Sequence, residues 1–266
     1  MSIRLRVISL GAGVQSTTMA LMAADGEIGP KPDCAIFADT QDEGDATYRH
    51  LAVLRSMLNF PVYVVTRGKL SDALFAGDNS ARFPAFVKAG GMAKRQCTRE
   101  FKIREIRKEV RRLLGREGRA YIAPGSVEQW IGISLNEADR MKPADVRFSI
   151  HRFPLIERRM TRVDCEAWLR ARGHSIPPKS ACVQCAYKAD ADWQGMKDTA
   201  PDDFERACGI DDRLRLPDQV KRFSGELYLH RSCTALRDVE FRPKPRLDKW
   251  FQPDMWANEC EGMCGV

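Results

Sequence analysis

The fold of this 266-residue chain is decided by three adjoining stretches, SIRLRVISL at 2–10, GAGVQS at 11–16 and TTMALMAA at 17–24. An apolar run that stops at Gly11 and Gly13 and leads into hydroxyl residues predicts a strand, a tight turn and the start of a helix. Such a turn lets the backbone approach an anion, and the helix N-terminus offers unpaired N–H groups. The turn fits neither G-x-x-x-x-G-K-[ST] nor G-x-G-x-x-G. It therefore predicts either a phosphate pocket or an ordinary connection.

Further strand and helix patterns alternate along the chain. Predicted strands lie at 4–10, 34–38, 62–65, 119–123 and 130–134. Predicted helices lie at 15–24, 45–58, 100–114, 162–172 and 202–207. This alternation indicates an α/β fold with a doubly wound, mostly parallel sheet. We expect a cytoplasmic protein without a membrane partner, because the sequence shows neither a membrane-length apolar run nor a signal-peptide core.

Positive charge is concentrated in one segment. The chain has 43 Lys plus Arg and 36 Asp plus Glu, a formal net charge of +7. Residues 94–119, from Lys94 to Arg119, hold 11 basic and 4 acidic residues and so carry the whole excess. Their helical spacing predicts a basic face for the phosphates of a nucleotide or nucleic acid. The alternative is a solvated face with internal pairs, such as Glu100 with Arg104 and Glu109 with Arg112.

Three polar clusters follow predicted strands. They are the GAGVQS turn, Asp39 with Thr40, and residues 134–140, from Ser134 to Arg140. In a parallel sheet, ligands bind outside the carboxyl ends of the strands. The convergence of the three clusters at that edge favours a phosphate pocket over an ordinary connection.

Five stretches follow one another in an order typical of a known family. They are GAGVQS at 11–16, FADT with TYRHL at 37–51, QCTREFKIREI at 96–106, GISLNEADR at 132–140, and FPLIERRMTRVDCEAWLRARG with SACVQCAY at 153–187. In this order, they resemble five motifs of one group of proteins. These motifs are the S-G-G-x-D-S loop, the D-T-G…E-T-Y stretch, the Cys…Lys-φ-x-P-L segment, the G-x-R-x-x-E-S-x-x-R stretch and the P-L…C-x-x-C ending. That group is the phosphoadenosine phosphosulfate reductase-like branch of the PP-loop ATP pyrophosphatases.

The resemblance implies a PP-loop, Rossmann-like nucleotide-binding domain at 1–176 and a cysteine-containing region, predicted to be loop-rich, at 177–266. It implies that ATP with Mg²⁺ contacts Gly11, Ala12, Gly13, Gln15, Ser16, Thr17, Asp39, Thr40 and Arg95. Lys102 and Arg140 would join Arg95 in neutralising the leaving pyrophosphate. The chain departs from the family pattern at Gly11, Ala12, Gln15 and Ser134, where relatives have Ser, Gly, Asp and Arg.

Nine cysteines in a cytoplasmic chain favour metal, cluster or catalytic thiols over disulfides. Cys182 and Cys185 form a C-x-x-C pair, which can occupy two tetrahedral metal positions. The resemblance implies that Cys97 joins them in holding a 4Fe–4S cluster, with Cys260 as the fourth ligand or with the fourth iron open. A zinc site built from the same cysteines is the alternative. Cys260 and Cys264 resemble the family's C-terminal E-C-G motif and are predicted catalytic thiols.

These features predict an ATP-dependent sulfurtransferase. It would adenylate an acceptor, favoured to be tRNA or DNA, and insert sulfur from the cluster or from a cysteine persulfide. A sulfur donor or thiol reductant would be a further partner. One alternative is a phosphoadenosine phosphosulfate or adenosine phosphosulfate reductase that forms sulfite. Another is a non-catalytic, zinc-containing nucleic-acid-binding protein. The oligomeric state stays open, with a homodimer among the alternatives.

Overall fold

The computed structural model describes residues 2–242. Its strands are β1 (Leu5–Leu10), β2 (Cys34–Asp39), β3 (Val62–Thr66), β4 (Phe86–Val87), β5 (Val127–Ile131), β6 (Ser149–Arg152) and β7 (Leu227–Tyr228). Its α-helices are α1 (Val14–Ala24), α2 (Asp45–Met57), α3 (Leu70–Phe75), α4 (Arg104–Leu113), α5 (Pro154–Glu157), α6 (Arg162–Ala171), α7 (Asp190–Thr199), α8 (Pro201–Leu214) and α9 (Pro217–Phe223). A π-helix (Thr98–Ile103) precedes α4, and 3₁₀ turns lie at Asn79–Ala81, Leu135–Arg140 and Leu236–Asp238.

A five-stranded sheet forms the centre of the fold, in the order β3-β2-β1-β5-β6. Every neighbouring pair in it is parallel. The chain moves outward from β1 to β3 on one side and then returns to place β5 on the other side of β1. The direction of winding therefore reverses between β1 and β5. In doubly wound sheets this reversal opens a crevice at the carboxyl ends of the two strands. The α/β fold with a parallel sheet is confirmed.

Helices cover both faces of this sheet because its central strands are apolar on both sides. On one face, α1 and α6 pack against the sheet through buried residues such as Met19, Trp130 and Leu169. On the other face, Ile106 and Val110 of α4 pack into a cluster with β-strand residues. Ten of the eleven residues of α1 are buried, so the turn before this helix is held at a fixed place. In the described range, none of the helices combines the length and apolarity needed to cross a membrane.

Two sequence predictions are wrong. Residues 119–123 form no strand but part of the irregular connection to β5, because Tyr121 is exposed and Ile122 alone is buried there. The loop-rich prediction from residue 177 onward is wrong for residues 190–223, where the described chain forms α7, α8 and α9. Pro201 and Pro217 stand at the start of α8 and α9, a position where proline favours a helix.

The predicted helix at 202–207 lies in the first half of α8, and the short strand β7 lies within KRFSGELYLHR at 221–231. Strand β6 was not predicted, since it is only four residues long. The apolar cluster beneath α7 and α8 includes Trp193 and Phe204, and it also includes Leu70 and Phe101 from earlier in the chain. This second cluster therefore packs the C-terminal helices against α3 and the π-helix.

We predict that Gly132→Ala destabilises the protein. A Cβ at Gly132 would lie 3.0 Å from the backbone N and Cα of Ser16. Overpacking against backbone that cannot move aside costs about 1–3 kcal/mol. Urea unfolding should show this loss in the free energy of unfolding. Gly195→Ala is the matched control, because a Cβ at Gly195, inside α7, would meet nothing within 4 Å, and alanine there should add about 0.5–1 kcal/mol. Equal stability of wild type and Gly132→Ala would contradict the close packing of β5 on α1.

Candidate active site

The turn between β1 and α1 is a compact backbone loop. Ala12 has a φ of +57°, in the left-handed region that favours glycine. The Ser16 hydroxyl accepts a hydrogen bond from the Gly11 N–H at 3.2 Å and donates to the Gly13 carbonyl at 3.3 Å. Gly13 caps α1 without a side chain, and the first turn contains no acidic residue. The positive end of the helix dipole thus meets no carboxylate from within α1.

The Gln15 side chain lies in a buried polar network across the crevice. Its amide nitrogen donates to Glu137 at 3.0 Å and to Ser134 at 3.3 Å, while its oxygen accepts from Arg162 at 3.2 Å. Arg140 forms an ion pair with Glu137 at 2.6 Å. Gln15 and Ser134, which are far apart in the sequence, are therefore in direct contact. The network joins α1, the 3₁₀ turn after β5 and α6.

Residues at the end of β2 form another side of the candidate site. The Asp39 carboxylate accepts hydrogen bonds from the Tyr48 hydroxyl at 2.8 Å and the Gln41 N–H at 2.7 Å. Next to it, the hydroxyl of the buried Thr40 lies 3.1 Å from the Cys182 sulfur. This contact spans 142 residues of sequence and brings the C-x-x-C loop to the carboxyl edge of the sheet.

Asp42 fastens the C-x-x-C loop in place. Its buried carboxylate accepts from the Ser71 N–H at 2.7 Å, the Ser71 hydroxyl at 3.0 Å and the Gln184 amide at 3.0 Å. Its carbonyl accepts from the Val183 N–H at 2.7 Å. Burial raises the pKa of Asp42, and these hydrogen bonds oppose the rise by stabilising the carboxylate. One side chain thereby ties β2, α3 and the cysteine loop together.

Cys97, Cys182 and Cys185 come from two segments that meet beside β2. Burial raises the pKa of Cys97 to about 11; the nearby Cys185 adds to the rise, while Lys102 and Arg95 oppose it. The Lys102 ammonium forms an ion pair with Glu43 at 3.0 Å, and the Cys182 thiol lies 3.8 Å from the same Glu43 oxygen. Arg95 stacks over the Tyr187 ring, 4.9 Å from its centroid. The thiols, Lys102 and Glu43 are thus linked by contacts and electrostatic interactions.

The donor set in this region suits a metal that prefers sulfur, since thiolates are the typical ligands of iron–sulfur clusters and of structural zinc. The second carboxylate oxygen of Glu43 is also buried without a hydrogen-bond partner. Within residues 2–242, no three His, Cys, Asp or Glu side chains are arranged as a ready metal site. Cys260 and Cys264, the predicted tail thiols, lie outside the described residues.

His50 is a site residue that the sequence analysis missed. Its Nε2 lies 3.0 Å from the Thr17 hydroxyl, so α2 contacts the first turn of α1. Burial lowers the pKa of His50, which favours the neutral ring. Asp42 and Glu43 were missed as well, although their place directly after the second predicted strand was a usable signal. For His50, the only signal in the sequence was its place in the TYRHL stretch.

The basic segment contains internal ion pairs as well as exposed charge. Arg104 pairs with Glu100 at 3.0 Å and Arg112 with Glu109 at 2.6 Å, so both predicted pairs are confirmed. Lys102 differs from them, because its carboxylate partner comes from the loop that follows β2.

A scan against protein-family models gives no match, and a search of curated proteins gives none either.

We predict that His50 makes stability depend on pH. Its pKa is lowered in the folded protein, so the unfolded chain takes up the proton at higher pH. The contribution of the neutral His50 ring to the free energy of unfolding is fully present above the ordinary histidine pKa of about 6.5. It is lost as the pH falls below that value. In His50→Gln, the free energy of unfolding should fall less between pH 7.5 and pH 5 than in wild type. His151 and His230, whose pKa burial also lowers, should leave a residual slope. Identical slopes in the two proteins would contradict a buried, neutral His50.

Proposed function

We propose that this protein is an ATP-dependent sulfurtransferase of the PP-loop type, which adenylates a nucleic-acid base and replaces its oxygen with sulfur. The observation that carries the proposal is that a phosphate-type loop and a group of thiols share one edge of the sheet. The 3.1 Å contact between Cys182 and Thr40, which directly follows β2, brings the cysteine loop to the edge where β1 leads into the turn. Such a reaction requires a sulfur-bearing group close to the nucleotide that activates the acceptor.

The nucleotide part of the proposal rests on the crevice between β1 and β5. ATP phosphates would bind the N–H groups between Gly11 and Thr17, whose own N–H groups bond Ser16 and Gly13 within the turn, at the N-terminus of α1. Asp39 would help to position Mg²⁺ or the adenosine. Arg95, Lys102 and Arg140 would neutralise charge on the departing pyrophosphate, as preorganised cations do in related transfers. The ion pairs of Lys102 with Glu43 and of Arg140 with Glu137 would hold these cations in place before ATP binds.

The chemistry proceeds in two displacements. The carbonyl oxygen of the acceptor base attacks the α-phosphorus of ATP, and pyrophosphate leaves. Hydrosulfide then attacks the activated carbon, and AMP leaves with the original oxygen. The net change converts a C=O group to C=S while ATP becomes AMP and pyrophosphate, so no electrons are transferred to the base. A sulfur donor must supply sulfur at the oxidation level of sulfide.

Cys97, Cys182 and Cys185 are the residues that would hold an iron–sulfur cluster, with zinc as the alternative metal. A bound cluster would supply sulfide close to the nucleotide. The thiols must lose their protons to bind metal, and Lys102 and Arg95 favour that loss at Cys97. Cys260 and Cys264 stay proposed as thiols that carry sulfur to the crevice.

We predict that the anaerobically purified protein releases pyrophosphate and AMP in equal amounts from ATP when a nucleic-acid acceptor and sulfide are present. Ser16→Ala should raise the Kd for ATP about tenfold, or about 1.4 kcal/mol, because the turn loses two hydrogen bonds worth about 0.5–1.5 kcal/mol each. Ser56→Ala is the matched control, since Ser56 makes one similar bond to a backbone carbonyl on the exposed side of α2. Sulfite release from a sulfonucleotide, with no pyrophosphate from ATP, would establish a reductase instead.

We predict that Arg104→Ala weakens nucleic-acid binding and that Arg170→Ala does not. Each arginine is exposed and pairs with a glutamate four residues earlier, at 3.0 Å for Arg104 and 3.2 Å for Arg170. Only Arg104 lies in the basic segment, so only its loss should remove a phosphate contact. The slope of log K against log salt should fall by about 0.7–0.9 for Arg104→Ala. Equal slopes for the two variants would contradict a phosphate site on α4.

A further inference from the structure

Three basic side chains form one exposed stripe along α4. Arg104, Lys108 and Arg112 are spaced four residues apart, which puts them on the same side of the helix. Their side chains are 59%, 59% and 52% exposed, whereas their carboxylate partners are only 20%, 8% and 11% exposed. The partners are the inner members of these pairs, so the outer surface of α4 presents positive charge.

The loop after α4, residues 114–126, is held against the same helix and carries an exposed aromatic side chain. Tyr121 is 77% exposed, the highest value among the exposed large apolar residues of the described chain. Arg116 and Arg119 in the same loop are exposed as well. The Arg111 guanidinium donates to the carbonyls of Arg116 at 3.1 Å and Ala120 at 2.9 Å, which ties the loop to the helix. Tyr121 is therefore presented next to a segment that is fastened in place.

We propose that Tyr121 stacks on an unpaired base of a single-stranded nucleic acid whose phosphates follow the α4 stripe. This inference rests on the nucleic-acid acceptor of the proposed function and narrows it to unpaired strands. An aromatic side chain beside regularly spaced cations is how proteins bind single strands, because every unpaired base offers a face for stacking. In a duplex those faces are already stacked, and phosphate contacts alone would not distinguish the two forms.

The position of Tyr121 makes it an anchor for the substrate and not a catalytic group. The π-helix and α4 together run from Thr98, next to the thiols, to Leu113. Their sixteen residues span about 24 Å at the rise of an α-helix. Since α4 leads into β5, it runs from the carboxyl edge of the sheet towards the opposite edge. A strand held along α4 would thus reach the crevice at one end and Tyr121 at the other.

The test is fluorescence anisotropy with labelled ten-nucleotide single-stranded DNA, single-stranded RNA and a DNA duplex, using the full chain without ATP. Tyr121→Ala should weaken single-strand binding about tenfold, since one base stack is worth about that factor or more. Tyr121→Phe should bind within about twofold of wild type, because the ring is kept. Val163→Ala is the matched control: Val163 is 72% exposed on α6, which packs on the other face of the sheet, and its loss should have no effect. The comparison of DNA with RNA identifies which strand binds more tightly.

Unchanged single-strand affinity in Tyr121→Ala would overturn the proposal, as would an equal loss on the duplex. The result of this binding test can be distinguished from the result of the ATP turnover test of the proposed function. Release of pyrophosphate from ATP with an acceptor that is not a nucleic acid would overturn this inference and leave the nucleotide site standing. Single-strand binding that depends on Tyr121, in a protein that never turns over ATP, would support the inference and overturn the enzymatic proposal.

Discussion

The buried carboxylate of Asp42 is the interaction on which the arrangement of the site depends. It accepts three hydrogen bonds, two from Ser71 at the start of α3 and one from Gln184 between the two cysteines. A buried carboxylate is stable only when such donors replace its water, and the donors in turn need it, because an unsatisfied buried N–H costs about 1–3 kcal/mol. Cys182 is therefore fixed next to Thr40 and Glu43, and the cysteine loop and the turn between β1 and α1 share one edge of the sheet.

A second constraint sets the position of that turn. Helix α1 is buried along nearly its whole length, and Gly132 lets the end of β5 approach the backbone of Ser16 closely. The N–H end of α1 is held rigidly at the crevice where the winding of the sheet reverses. Preorganised N–H groups bind an anion without a reorganisation cost, which is why such an end suits phosphate. Gln15 of α1 also bonds Ser134, Glu137 and Arg162. These contacts hold the first turn of α1 against the 3₁₀ turn after β5 and against α6.

Local sequence patterns predicted much of the fold. The features that depend on contacts between residues far apart in the sequence could not be predicted. β1 and β2 were predictable because strands buried on both faces appear as apolar runs. The apolar run at 119–123 looks similar in sequence, yet Tyr121 there is solvated. The pairs of Arg104 and Arg112 were predictable because their partners lie nearby on the same helical segment, whereas Lys102 pairs with Glu43 across 59 residues. The contact between Thr40 and Cys182 likewise needs the folded chain.

Amide hydrogen exchange with and without ATP tests the central claim most directly, since it reports where the nucleotide binds. The account predicts slower exchange for the peptides that cover residues 11–24 and 132–140, with no change in α8, which lies in the other apolar cluster. Protection confined to α8 or to other distant peptides, or no protection at saturating ATP, would contradict a nucleotide site in the crevice between β1 and β5.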